Sequence, residues 1–130
     1  MKKLILSCLV LLMAGLPLKA AYMLIPMDES QKNHLKAYGI CYWVLDNEVE
    51  AWWLLNYRGG SFAFRHNLAF EKECRTRDVD FEVIPDGQMN KILADIGDPE
   101  VNQEAMKLEV PPQIAVYTPD VNAKGEKVQP

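Results

Sequence analysis

The chain has 130 residues, a formal net charge of −4, a hydrophobic fraction of 49% and a charged fraction of 25%. That length fits one ordinary domain, and the balance is that of a soluble globular protein. It excludes global disorder, a collagen-like repeat and a multi-span membrane protein.

Met1-Lys2-Lys3 is a short positive start, and Leu4 to Leu18 is an apolar run broken only by Ser7, Gly15 and Pro17. Leu18-Lys19-Ala20-Ala21 then offers small residues to a signal peptidase. Residues 1–21 therefore read as a secretory signal cleaved after Ala20 or Ala21. An uncleaved anchor is the first alternative, but the run is short of the roughly 20 apolar residues a span needs. A lipoprotein modified at Cys8 is the second, but most of the apolar run follows that cysteine. The expected location is periplasmic or extracellular, with no membrane span after cleavage. Loss of Lys2, Lys3 and Lys19 leaves all 18 acidic residues and makes the chain more acidic. Such a surface is a poor match for nucleic acid, whose binding comes largely from neutralised phosphates.

Tyr22 to Met27 reads as a short strand or an extended lead-in. Asp28-Glu29-Ser30 carries helix-start chemistry and predicts a helix to Tyr38, ended by Gly39 in a left-handed cap. Ile40 to Leu45 is rich in β-branched and aromatic residues and predicts a strand. Asp46-Asn47-Glu48 predicts a turn, and Val49 to Tyr57 a second strand, so the two form an expected β-hairpin. Arg58-Gly59-Gly60 predicts another turn and Ser61 to Phe64 a third strand, completing an antiparallel meander. Asn67 caps an expected helix to about Arg77. Val79 to Ile84 alternates apolar and acidic residues, as a half-buried strand does. Met89, Ile92, Leu93 and Ile96 fall at i, i+3, i+4, i+7, so Gln88 to Ile96 predicts an amphipathic helix ended by Gly97. Pro99 to about Leu108 predicts a more polar fourth helix. Pro111-Pro112 interrupts the chain, Ile114 to Tyr117 reads as a buried-type strand, and the tail to Pro130 is polar linker.

The expected fold class is α+β, a three-stranded antiparallel meander packed with three or four helices. Residues 22–110 form the small domain, and residues 111–130 are a strand plus polar linker.

Candidate chemistry is sparse. His34, His66, Cys41 and Cys74 lack the tight spacing of a zinc site, and no metal or cofactor is implied. A nucleophilic pair of Cys41 or Cys74 with His66 has no local support, and Cys41 lies in an apolar segment. Cys41 and Cys74 can form one disulfide after export or stay free and buried. Arg58-Gly59-Gly60-Ser61 invites an anion-loop reading but matches no phosphate-binding pattern, and two glycines between strands fit a hairpin turn. The informative feature is aromatic: nine of the twelve aromatic residues lie between Tyr38 and Phe70. Trp52 and Trp53 must face opposite sides of a strand. Trp43, Trp52, Trp53 and Tyr57, with Arg58 beside them, are the candidate binding residues for a protein or glycan ligand. A sheet covered on both faces would instead place these rings in the core.

The stretch Leu24 to Phe62, the segment around Ile84, Asp98-Pro99-Glu100-Val101-Asn102 and Ile114-Ala115-Val116-Tyr117 resemble the N-terminal part of a family of secreted bacterial proteins commonly labelled asparagine synthetase B. The resemblance covers nearly the whole chain after the signal. It implies a longer protein that continues into an α/β region similar to class I glutamine amidotransferases, with Ile114 to Tyr117 as the first strand of that region. A glutamine-dependent asparagine synthetase uses a cysteine directly after its initiator methionine, and Lys2 stands there. The enzyme also consumes ATP, and no nucleotide loop is present. The resemblance therefore carries no catalytic residue onto this chain. The leading expectation is an exported module, non-catalytic by itself, that supports a following α/β domain. The alternatives are an enzyme of amidotransferase type with its chemistry outside these residues, and an independent carbohydrate- or peptide-binding protein of the envelope.

Overall fold

The computed structural model describes residues 21–113 and 115. The signal segment and, apart from Ala115, the strand expected at Ile114 to Tyr117 with its polar tail lie outside them. The described elements are β1 (Ala21–Ile25), α1 (His34–Asp46), β2 (Ala51–Leu55), β3 (Ser61–Arg65), α2 (Leu68–Arg77), β4 (Glu82–Pro85), α3 (Asp86–Ile96) and β5 (Glu104–Leu108). The strands form one sheet in the order β4-β1-β3-β2-β5, and each described pairing is antiparallel. This is an α+β fold with three helices among the described residues.

Alternation along the strands explains the layering. Met23, Ile25, Ala51, Phe62 and Phe64 point to one face, where they pack with Ala37, Ile40, Cys41 and Val44 of α1 and Phe70 and Cys74 of α2. Leu24, Leu54, Ala63 and Ile84 point to the other, where Met89, Ile92 and Ile96 of α3 cover them. The register keeps these sets together, with Met23 opposite Phe64, Ile25 opposite Phe62, and Phe62 also opposite Trp53. Two of the three interior strands, β1 and β3, are thus apolar on both faces. Fully burying a side chain of this kind contributes about 1.5–3 kcal/mol.

Several expectations need correction. Ile40 to Leu45 is not a strand but the second half of α1. Its buried residues, Ala37, Ile40, Cys41, Val44 and Leu45, fall at i, i+3, i+4, i+7, i+8, the period of one helix face. Tertiary packing of that face overrides the β propensity of the individual residues. The hairpin expected from residues 40–57 is therefore absent. The hairpin formed is β2–β3, and the third strand of the antiparallel unit is β1. Gly39 lies inside α1 rather than capping it. The helix ends at Asn47, whose side-chain amide donates to the Trp43 carbonyl at 2.7 Å, and Glu48 turns the chain at φ 60°.

The helix start at Asp28 is also displaced. The Asp28 carboxylate accepts from the backbone and hydroxyl of Ser30, which makes a local turn, and α1 begins at His34. The fourth helix expected from Pro99 is instead a turn followed by β5, paired with β2 from Leu55↔Glu104 to Ala51↔Leu108. The α2 segment follows expectation. Asn67 Oδ1 accepts from the Ala69 amide at 2.8 Å, and Asp78 at φ 56° ends the helix. The α3 stripe likewise buries Met89, Ile92 and Ile96.

Gly39 separates the two readings of residues 34–46. A left-handed cap would penalise any side chain there. Inside α1, a Cβ at Gly39 meets only Arg77 Nη1 at 3.9 Å, an ordinary contact. Gly39→Ala is therefore expected to stabilise the protein by about 0.5–1 kcal/mol, because alanine loses less backbone entropy in a helix. Thermal denaturation measures it, and a destabilised variant would contradict the continuous helix.

Candidate functional site

A groove of about 830 Å³ lies between α1 and the β5 end of the sheet. Tyr38, Cys41, Tyr42 and Leu45 supply one wall from α1. Trp53 and Phe62 form the floor, and Leu108, Val110 and Pro111 the opposite wall. The helix places its wall by spacing: Tyr38, Tyr42 and Leu45 follow one another at four- and three-residue steps. Tyr38 meets Phe62 edge-on at 5.6 Å, and Trp53 stacks on Phe62 at 6.2 Å. Tyr38 is nevertheless 51% exposed, Tyr42 46% and Val110 75%. The result is an open apolar trough with an ordered aromatic floor.

The lining of the groove is mostly aromatic and aliphatic. Its one thiol, Cys41, is pushed up to about 12 by burial, and such a thiol is a poor nucleophile at neutral pH. Burial likewise raises Cys74, to about 11. Both thiols are free and buried on adjacent helices. The two histidines are engaged separately, His34 Nε2 with the Met27 carbonyl at 3.1 Å and His66 Nε2 with Glu71 Oε2 at 3.0 Å. Among the described residues no group of three or more His, Cys, Asp or Glu side chains is arranged to hold a metal ion.

The five binding candidates from the sequence do not converge. Trp53 alone lies in the groove. Trp43 is on α1 and packs edge-on against Phe70 of α2 at 5.4 Å. Trp52 and Tyr57 pack on the α3 side of the sheet, so Trp52 and Trp53 do face opposite ways. Trp52 borders a smaller polar hollow with Tyr22, Glu50 and Arg65, where the Arg65 guanidinium lies 4.3 Å from the Tyr22 ring centre and also pairs with Asp86. Tyr38, Tyr42, Phe62, Leu108 and Val110 were not among the candidates. A helical reading of residues 34–46 would have exposed the Leu35-Tyr38-Tyr42 stripe.

Arg58 has a structural task. Its Nε donates to Asp28 Oδ2 and its Nη1 to Glu82 Oε1, both at 2.7 Å. It thereby ties the β2–β3 turn to the segment before α1 and to β4. Hydrogen bonds from Ser30 first, then Arg58, hold the Asp28 carboxyl down at about 2. The backbone reinforces the tie, since the Met27 amide donates to the Arg58 carbonyl at 3.1 Å. Gly59 fits only because it lacks a side chain: at φ 81° its Cβ would stand 2.4 Å from the Met27 carbonyl oxygen. Opposite α1's start, the buried Gln31 amide donates to the Pro26 and Asp80 carbonyls and accepts from the Asp80 amide.

Comparison with known proteins returned no matching family model, no matching curated protein and no matching solved structure.

Gly59→Ala is expected to cost about 2 kcal/mol or more, combining a left-handed φ with a backbone clash. Gly60→Ala, at φ 94° with only Trp53 Nε1 nearby at 3.5 Å, is expected to cost about 1 kcal/mol; denaturant titration measures both. The Asp28 carboxyl is more acidic in the folded chain than its ordinary value of 3.8. Its stabilisation is therefore present above about pH 4 and lost as the pH falls toward 2. Melting temperatures should fall across that window by less in Asp28→Asn than in the unsubstituted protein.

Proposed function

We propose that the chain is an exported docking module, non-catalytic by itself, that supports a following α/β domain of an amidotransferase-like protein. The observation that carries this reading is the groove itself: an aromatic floor and apolar walls, with a strongly protonated thiol as its one nucleophilic atom. Open apolar surface of this kind marks interaction sites rather than acid–base chemistry. Val110 to Gln113 line the groove, and the apolar run from Ile114 follows directly in the sequence. A domain continuing from that point would begin beside the groove. Its apolar surface is the proposed occupant, with Tyr38, Tyr42, Trp53 and Val110 as the contacts. The resemblance of the chain to the N-terminal part of secreted asparagine synthetase B-like proteins supports the same order of parts.

The test uses the protein recovered from its native cells. Its intact mass is expected to exceed that of residues 21–130, and amide exchange in α1 and at Val110 to Gln113 is expected to be slower than in the isolated chain. Tyr42→Glu should restore fast exchange without lowering the melting temperature of the isolated chain. A native mass equal to residues 21–130, or glutaminase or asparagine-forming activity in this chain alone, overturns the proposal.

A further inference from the structure

On the face of the sheet opposite the groove, the cover given by α3 stops at Tyr22 and Trp52. Both rings pack against the apolar cluster beneath α3 and stay half-buried. Beside them lies the hollow of about 490 Å³ lined by Tyr22, Glu48, Val49, Glu50, Trp52 and Arg65. The chain itself holds its polar groups in place. Lys107 stands opposite Trp52 in the β2–β5 register, and its Nζ donates to Glu50 Oε1 at 2.8 Å. Arg65 stands opposite Tyr22, and its Nη1 donates to Asp86 Oδ1 at 2.7 Å. Both keep capacity for a ligand, since a carboxylate has a second oxygen and a guanidinium has further N–H donors. Glu48 is the unexpected member. Its amide donates to the Leu45 carbonyl and the Val49 amide to the Val44 carbonyl, the usual left-handed close of a helix. Glycine is the default at that position, because a side chain at positive φ is strained. Glu48 takes it at φ 60°, and its exposed side chain lines the hollow. A local rule broken beside a concavity points to use of the side chain that breaks it.

We propose that this hollow seats one pyranose unit of a carbohydrate, with the Trp52 indole against the C–H face of the sugar ring and Glu48, Glu50 and Arg65 on its hydroxyls. The ligand class follows from the mixture of groups. An anion would meet Glu48, Glu50 and Asp86 along with Arg65. A cation would meet Lys107 and Arg65, and Arg65 already covers the Tyr22 ring at 4.3 Å from its centre. A neutral ligand that donates and accepts hydrogen bonds and carries an apolar face suits all of these groups at once. A hydroxylated sugar ring has those properties, and the flat indole offers the matching apolar body. A free monosaccharide and one unit of a longer glycan share this chemistry. The hollow lies across the sheet from the groove, so its ligand does not depend on what the groove holds.

NMR titration of the exported chain with glucose, galactose, mannose and N-acetylglucosamine, and with cellotetraose and chitotetraose, tests the site. The indole N–H resonances of Trp43, Trp52 and Trp53 report on separate places in the fold. The expected result is a saturable shift of the Trp52 resonance at millimolar sugar, with Trp43 and Trp53 unmoved. Tighter binding of a tetramer than of its monosaccharide assigns the site to a glycan chain, and equal affinity assigns it to a free sugar. Glu48→Gly is expected to raise the melting temperature, because it relieves the left-handed strain. The same variant is expected to weaken sugar binding roughly tenfold, through loss of a charge-assisted hydrogen bond. A Trp52 resonance that no sugar in the panel shifts overturns the proposal. So does a shift shared equally by all three indoles, a stronger shift with inorganic phosphate or tetramethylammonium, or an unchanged sugar affinity in Glu48→Gly.

Discussion

The contact between the Met27 carbonyl and Gly59 fixes how the two halves of the sheet meet. β1 must run antiparallel to β3, and the chain leaving β1 must cross the turn that enters β3. That crossing is closed by the Met27 amide on the Arg58 carbonyl and by the Gly59 backbone pressed against Met27. The Arg58 side chain then clasps Asp28 before α1 and Glu82 on β4. One turn therefore sets the β1–β3 register, directs the chain toward α1 and anchors the opposite edge strand. Each of these ion pairs is partly open to solvent and individually modest. Their effect comes from sharing one guanidinium whose backbone is already locked.

This arrangement explains which parts of the fold were legible. The α3 stripe and the Asn67 cap are local signals, and packing had no reason to override them. Ile40 to Leu45 is different. Its residues favour strands one by one, yet its apolar positions continue the helical phase begun at Ala37. The phase was hidden because Tyr42 and Trp43, on the flanks of the buried face, are also apolar. Asp28-Glu29-Ser30 misled for a related reason, since an aspartate closing a local turn uses the same hydrogen bonds as a helix cap. Residues 104–108 carry little apolar periodicity because β5 lies at an edge and buries few side chains. Its pairing with β2 is a long-range fact that no local window contains.

The site was legible as composition and not as geometry. Aromatic crowding between Tyr38 and Phe70 marks the region that holds the groove. The partition of those rings depends on whether residues 40–45 are helix or strand. As a strand, that segment would add Trp43 to the hairpin. As a helix, it turns Trp43 toward Phe70 and leaves Tyr38 and Tyr42 facing the groove. Arg58 could not be assigned from sequence either, because its partners lie 30 and 24 residues away.

The molecule is accordingly polarised along the sheet. At the β4 end, Arg58 is bound to Asp28 and Glu82, and Arg65 to Asp86, so charge there is largely spent within the chain. At the β5 end, Lys107 is likewise paired with Glu50 at 2.8 Å, while aromatic and aliphatic side chains remain uncovered on the groove face. A chain selected only for its own stability would gain from covering those apolar side chains, at about 25 cal/mol for each Å² removed from water. Under the proposed function the contact falls at the corner of α1 and β5, where Tyr38, Tyr42 and Val110 stay exposed. The buried Cys41 thiol in that corner is held protonated, so the corner presents apolar surface without a thiolate nucleophile.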